Sequence, residues 1–127
     1  MMLSESDVVA FIATDDLVAS RSFYRDSLGL HLVVDESPIA CVFACSGTTL
    51  RVTAVSEVVA VSYAVLGWRV SDIELVIDDL VGRDVRFLRF DGMAQDERDI
   101  WTSPSGDCVA WFSDPAGNTL SVTEFKE

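Results

Sequence analysis

The 127 residues contain one pattern twice, and this internal repeat constrains the fold more than any other feature. Residues 49–53 read Thr-Leu-Arg-Val-Thr, and residues 119–123, 70 positions later, read Thr-Leu-Ser-Val-Thr. A glycine lies two positions before each copy. A second correspondence has an offset of 56, because Asp16-Leu17 and Asp72-Ile73 each open an amphipathic stretch. The repeat predicts two similar halves that face one another across a cleft, lined by residues at matching positions.

Apolar alternation and turn residues divide each half into a strand, a helix and further strands. The first half is predicted to contain strands at 7–14, 30–34, 39–45 and 48–55, with a helix from 16 to 28. The second half is predicted to contain strands at 63–70, 85–90, 100–102, 107–112 and 118–125, with a helix at 72–81. The acidic segment 91–99 has no counterpart in the first half. The predicted order is βαβββ, twice.

This order predicts an α+β fold of two tandem βαβββ modules, with a cleft of mixed sheets and the helices outside. We expect a single domain over residues 1–127, with module one at about 7–55 and module two at about 63–126. Asp15 or Asp16 can cap the first helix, and Asp72 opens the second.

The formal net charge of −12 argues against nucleic acid and anionic membranes as partners, since phosphate binding requires clustered Lys and Arg. No apolar run approaches the roughly 20 residues that a membrane span needs. No basic segment followed by an apolar core opens the chain, so a cytoplasmic location is expected. Cys41 and Cys45 have strand-spaced apolar neighbours, which predicts buried thiols rather than a disulfide or a metal site.

Two end motifs support a family resemblance. The first runs from Asp16 through Phe23-Tyr24-Arg25-Asp26 to Gly29-Leu30, and the second is the Asp-Pro-Ala-Gly-Asn-Thr-Leu of residues 114–120. With the duplicated βαβββ order, these resemble the vicinal oxygen chelate superfamily, which includes glyoxalase I, extradiol dioxygenases, fosfomycin-resistance transferases and bleomycin-resistance proteins. The resemblance implies a homodimer. It implies a shared scaffold but no particular substrate.

Enzymes of that superfamily hold a metal on the first and last strands of each module. Carried onto this chain, the resemblance puts these ligand positions at Val9, Arg51, Val65 and Ser121. None of these side chains is an imidazole or a carboxylate. The single histidine, His31, begins a different strand. We therefore expect no metal site, no cofactor and no metal-dependent chemistry.

Strand alternation predicts which side chains face the cleft. The candidate ligand-binding residues are Phe11, Arg51, Arg69, Trp101, Ser121 and Thr123. Arg51 has two interpretations, recognition of an anionic ligand or an internal salt bridge. Trp101 also has two, because it can stack on a planar ligand beside Met93 or pack against a sheet edge or a second subunit.

Three functions fit these observations. The first is metal-free binding of a small molecule in the cleft, as in drug-sequestering bleomycin-resistance proteins. The second is a lyase, isomerase or dioxygenase with an unrecognised metal or acid/base site, for which Asp7, Tyr63 and Cys108 are the proton-handling candidates. The third is an interaction module without a ligand. The ligand's charge stays open, because the net charge favours a cation and the two arginines favour an anion.

Overall fold

The computed structural model describes all residues from 1 to 127, and these form two compact units, Met1–Val59 and Ala60–Glu127. None of the helices has both the length and the apolar character needed to cross a membrane.

The first unit contains one sheet and one helical segment. Its elements are β1 (Val9–Thr14), α1 (Leu17–Ser22), a π-helical turn (Phe23–Ser27), β2 (His31–Glu36), β3 (Ala40–Cys45) and β4 (Thr48–Ala54). The strands lie in the order β1-β4-β3-β2. The β1–β4 pair is parallel and the other two pairs are antiparallel, so the sheet is mixed.

The second unit repeats this topology. Its elements are β5 (Leu66–Arg69), α2 (Ile73–Val81), β6 (Trp101–Thr102), β7 (Cys108–Ser113) and β8 (Thr119–Glu124). The strands lie in the order β5-β8-β7-β6, again with one parallel pair at the start. The predicted α+β class and its two mixed sheets are confirmed.

The two sequence offsets explain the strand registers. Ala10 of β1 lies opposite Leu50 of β4, and the residues 56 and 70 positions later, Leu66 and Leu120, lie opposite each other in the same way. The repeat therefore preserves the register as well as the element order.

Both helices begin where the capping aspartates predicted. The Asp16 carboxylate accepts a hydrogen bond from the Ala19 N–H at 3.0 Å, and Asp72 accepts one from the Leu75 N–H at 3.1 Å. In each case the carboxylate satisfies an N–H that has no partner within the helix.

Each sheet has a helix face and a helix-free face. In the first unit α1 packs on β3 and β4, where Phe43, Leu50 and Val52 are buried. In the second unit α2 packs on β8, and the buried apolar residues include Ile73, Ile77, Leu80, Phe112, Leu120 and Val122. Side chains alternate along a strand, so the residues between these core positions lie on the helix-free face.

The predicted strand at 85–90 is wrong. Only one bridge forms there, between Phe87 and Phe112 of β7, with the Leu88 N–H donating to the Trp111 carbonyl at 2.8 Å. β7 then pairs with β6, where Trp101 lies opposite Val109. Between the Phe87–Phe112 bridge and the Trp101–Val109 pair, β7 moves on by three residues, whereas the edge segment moves on by fourteen. The edge strand is broken because segment 91–99 is inserted in its middle.

Candidate ligand-binding site

An aromatic groove lies on the helix-free face of the second sheet, beside the broken edge. It has a volume of about 690 Å³. We call it the aromatic groove, and its lining residues are Ser62, Tyr63, Ala64, Phe90, Asp91, Gly92, Met93, Ala94, Trp101 and Trp111. Pockets for small molecules span roughly 300–1,000 Å³ and are lined mainly by apolar and aromatic side chains. The groove fits this description in both size and lining.

The two tryptophans come from neighbouring strands. Trp101 of β6 lies opposite Val109, and Trp111 is two residues further along β7 on the same face. The centroids of their rings are 6.2 Å apart with an angle of 42° between the planes. Phe90 contacts Trp111 edge to face at 5.6 Å. Aromatic rings at such spacings attract one another, so the wall of the groove is a packed cluster.

The inserted segment forms the other wall, and Gln95 anchors it. The Gln95 side-chain oxygen accepts from the Phe90 N–H at 2.7 Å. Its amide nitrogen donates to the Leu88 and Asp99 carbonyl oxygens, each at 2.9 Å. This one side chain therefore supplies hydrogen bonds to both ends of the insertion.

Charged groups brace the insertion further. Arg89 pairs with Asp99 at 2.9 Å. The Asp96 carboxylate accepts from the backbone N–H groups of Arg98 and Ile100, both at 2.9 Å. The tip at Gly92 has a φ of +78°, a left-handed conformation that suits glycine. The loop is thus held by an ion pair and by internal hydrogen bonds, and its turn lies at the groove.

Electrostatically the groove is almost neutral. Asp91 is the only charged side chain in its lining, and it forms no ion pair. Tyr63 and Ser62 add hydroxyl groups to the lining, and Tyr63 is exposed.

Four of the six predicted site residues lie on one face of the second sheet. The register aligns Arg69, Thr123 and Val109 across β5, β8 and β7, and Val109 lies opposite Trp101 of β6. Ser121 lies in the adjacent row, between Gly67 and Trp111. A Cβ on Gly67 would be 2.5 Å from the Ser121 hydroxyl oxygen, so the glycine makes room for this serine.

The other two predicted residues belong to the first sheet. Phe11 of β1 lies directly opposite Arg51 of β4, and Phe11 is 65% exposed. The Arg51 guanidinium forms a salt bridge with Glu36 at 3.1 Å. Of the two interpretations of Arg51, the structure contains the internal salt bridge.

Trp111 and Phe90 were not among the predicted site residues, and Tyr63, which lines the groove, was predicted only as a proton-handling candidate. The sequence could have indicated Trp111, because side chains alternate along a strand and the neighbouring Phe112 is buried on the helix face. Trp111 therefore lies on the helix-free face. Cys108, a proton-handling candidate, alternates to the other face and lies 3.7 Å from the Thr102 hydroxyl. Cys108 is therefore separated from the groove that contains Tyr63.

The residues at the implied metal positions do not fit a metal ion. Val9 lies opposite Thr49, the Val65 N–H donates to the Thr119 carbonyl at 2.9 Å, and Ser121 lies beside Gly67. No three His, Cys, Asp or Glu side chains are grouped so that they would hold a metal ion. We derive no chemistry through a metal for these residues.

None of the three cysteines forms a disulfide. Cys41 is fully buried in the first unit, with its sulfur 3.6 Å from an Asp35 carboxylate oxygen. Burial is the main reason why the pKa of the Cys41 thiol is raised above its ordinary value, and the nearby Asp35 charge acts in the same direction. Cys45 is partly exposed, so the prediction of buried thiols holds for Cys41 alone of these two.

Sequence comparison now agrees with this geometry. Residues 7–122 match the Glyoxalase/Bleomycin resistance protein/Dioxygenase superfamily. The chain belongs to this superfamily. No protein of curated function matches the sequence.

Solved structures of the superfamily share the fold. A lactoylglutathione lyase from Agrobacterium tumefaciens superposes with a TM-score of 0.74 at 20% identity, covering 94% of this chain and 93% of that chain. A glyoxalase family protein from Bacillus anthracis has a TM-score of 0.74 at 16% identity, with 96% of both chains covered. A superfamily member from Alicyclobacillus acidocaldarius has a TM-score of 0.74 at 17% identity, covering 100% of this chain and 96% of that chain. At these identities the likeness establishes the superfamily fold alone.

Proposed function

We propose that this protein binds a planar aromatic small molecule in the aromatic groove, and that it does so without a metal. The observation that carries the proposal is the convergence of four rings and a thioether on one groove: Tyr63, Phe90, Met93, Trp101 and Trp111. A flat ligand placed against these rings gains stacking contacts in addition to the apolar area that it buries. The thioether of Met93 adds a polarizable contact that adapts to the ligand's outline.

The charge of the groove favours a neutral or cationic ring over an anionic one. Asp91 carries the only charge in the lining, and the whole chain carries −12. An aromatic wall also attracts a cation through its ring faces. Arg51, which favoured an anion in the sequence analysis, belongs to the first sheet and pairs there with Glu36.

The proposal needs no reaction. The superfamily's metal positions hold Val9, Arg51, Val65 and Ser121, whose side chains do not form a metal-binding set. Stoichiometric capture of a ligand explains the aromatic lining without a nucleophile or a general base. We also propose a cytoplasmic homodimer: cysteines without a disulfide suit a reducing compartment, and the family resemblance implies the dimer.

Tryptophan fluorescence tests the proposal, because two of the three tryptophans line the groove. The third, Trp68, stacks on Phe112 at 6.3 Å on the helix face. A Trp68→Phe background therefore restricts the emission to Trp101 and Trp111. Titration with proflavine, a planar cation, is expected to quench this emission at one equivalent per groove.

Trp101→Ala is expected to weaken proflavine binding roughly tenfold, since it removes one stacking face and part of the buried area. Leu75→Ala is the matched control, because Leu75 is 65% exposed on α2 and lies outside the groove. Proflavine affinity that is unchanged in both Trp101→Ala and Trp111→Ala would exclude this groove as the binding site.

A further inference from the structure

We propose a second, anion-binding subsite at Arg69 and Lys126 on the same sheet. The ligand of the aromatic groove is then an elongated molecule, with a planar ring system at one end and a carboxylate or similar anion at the other. This inference rests on the proposed function, because the ring system is the part that the aromatic groove holds.

Three of the nine basic side chains form no ion pair. The chain has 21 acidic and only nine basic residues, so most basic side chains find a carboxylate. The arginines in ion pairs are Arg21, Arg25, Arg51, Arg83, Arg89 and Arg98. Arg69, Arg86 and Lys126 form none. Two of these three line one cavity, which concentrates unused positive charge at a single place.

That cavity lies where β5 and β8 end and has a volume of about 840 Å³. Its lining is Arg69, Val70, Ser71, Gly106, Glu124, Phe125, Lys126 and Glu127. The Arg69 guanidinium carbon lies 5.0 Å from the centre of the Phe125 ring. This contact holds the guanidinium against an aromatic face and leaves its N–H groups available to an anion.

The segment that carries Lys126 is hydrogen-bonded to the turn between β6 and β7. The Lys126 N–H donates to an Asp107 carboxylate oxygen at 2.9 Å. The Lys126 side chain also packs on Gly106, where a Cβ would be 2.5 Å from the lysine Cδ. Gly106 therefore leaves the space that the lysine stem fills beside the cavity.

Two carboxylates share the cavity, and neither pairs with the basic groups. Glu124 accepts a hydrogen bond from the Ile73 N–H at 2.9 Å, which directs this carboxylate to the start of α2. Glu127 lies in the lining beyond Lys126. No ion pair joins either glutamate to Arg69 or Lys126. A ligand anion is the partner that would satisfy the guanidinium.

The register connects this cavity to the aromatic groove. Arg69, Thr123, Val109 and Trp101 follow one another across the four strands on the helix-free face. Three steps between strands correspond to about 14 Å of backbone separation. A ligand that lies along this row passes the Thr123 hydroxyl between its ring end and its anionic end. The length and the two ends of the ligand follow from this geometry.

Pyrene probes with an alkyl linker test the inference. The probes are 1-pyrenebutyrate and 1-pyrenedecanoate, each compared with its uncharged primary amide by fluorescence titration. The long acid is expected to bind roughly tenfold more tightly than its amide, the size of effect that a charged hydrogen bond gives. The short acid, whose linker does not reach Arg69, is expected to show no such advantage.

Arg69→Gln and Lys126→Gln are each expected to reduce the preference of the protein for the long acid over its amide. Arg86→Gln is the matched control, because it removes the same charge from the other unpaired arginine, which lies outside both cavities. If Arg69→Gln and Arg86→Gln change the acid-to-amide ratio equally, the subsite is wrong. If Trp101→Ala still weakens both probes in that case, the aromatic groove stands. Failure of both pyrene amides and of proflavine to bind would instead overturn the proposed function together with this inference.

Discussion

The first unit has a continuous edge strand, whereas the edge of the second unit stops at Phe87 and resumes at Trp101. In β2 the pairing with β3 is interrupted by a single extra residue between Leu32 and Val34. In the second unit the interruption holds a braced loop, and the aromatic groove lies beside it. The two sheets share their strand order and their register. The difference between their edges therefore shows that an insertion in an edge strand can add a groove. An edge strand pairs on one side only, and its loss of pairing therefore costs the sheet little.

The helix faces of the two sheets are expected to behave alike. Phe43 and Phe112 occupy matching positions, opposite Leu50 and Leu120, and both are buried. Phe43→Ala and Phe112→Ala are each expected to lower the free energy of unfolding by about 3–5 kcal/mol, because each leaves a cavity in a core. Urea denaturation measures both values. A loss below about 1 kcal/mol in either variant would show that the two cores are not equivalent.

The helix-free faces are expected to differ. Trp111 corresponds to Val42 of the first unit. Trp111 lies opposite Ser121 and Val42 lies opposite Arg51, and residues 51 and 121 are matching positions of the repeat. Trp111→Ala is expected to weaken proflavine binding roughly tenfold, while Val42→Ala leaves it unchanged, because only the tryptophan lines the groove. Fluorescence titration of the two variants gives the comparison. Equal effects would mean that both sheets contribute to the ligand site.

The two helix starts differ, because at the start of α2 the Ile73 N–H also donates a hydrogen bond to Glu124. Asp16→Ala is expected to lower the free energy of unfolding by about 1 kcal/mol. Asp72→Ala is expected to cost less, because Glu124 still accepts from the Ile73 N–H at the start of α2. Thermal denaturation of the two variants tests this order. The double variant Asp72→Ala and Glu124→Gln is expected to lose at least as much as Asp16→Ala, and a smaller loss would contradict the role of Glu124.

The smallest predicted effect concerns Asp35 in the edge strand of the first unit. Hydrogen bonds from the Ser37 side chain and backbone, and the neighbouring Arg21, lower the pKa of Asp35 from 3.8 to about 2. A carboxylate with a depressed pKa stabilises the fold above pH 4, and this contribution is lost as the pH falls toward 2. Ser37→Ala is expected to raise the pKa of Asp35, as measured by NMR titration of its carboxyl carbon. An unchanged pKa would assign the shift to the backbone N–H of residue 37 and to Arg21 instead.

Much of the scaffold was predictable because it depends on local rules. An aspartate precedes each helix, and the repeat predicted two units of similar element order. The segment 85–90 was mispredicted because its alternating residues suit a strand, but a strand also needs a neighbour along its length. The insertion removes that neighbour after Phe87.

The site was predictable only in part. Ser121, Thr123 and Arg69 were assigned by alternation and Trp101 by its position after the acidic segment, and the register places all four on one face. Phe90 was missed because it was assigned to a predicted strand at 85–90 that does not form, and Tyr63, predicted only as a proton-handling group, also lies outside the observed strands. The partner of Arg51 was also undetermined, since the sequence offers many carboxylates and only the β2–β3–β4 register brings Glu36 within reach.

The anchoring of the insertion by Gln95 has a consequence for how such a protein can change its ligand. The side-chain hydrogen bonds of Gln95 fasten Leu88, Phe90 and Asp99, which lie at the base of the loop, and none of these side-chain bonds involves its tip. The tip residues 91–94 all line the groove. New tip sequences can therefore be exchanged on a fixed base, so that mutation explores new ligands while the fold stays the same. In this respect the loop resembles an antibody's hypervariable loop more than a part of the ancestral repeat.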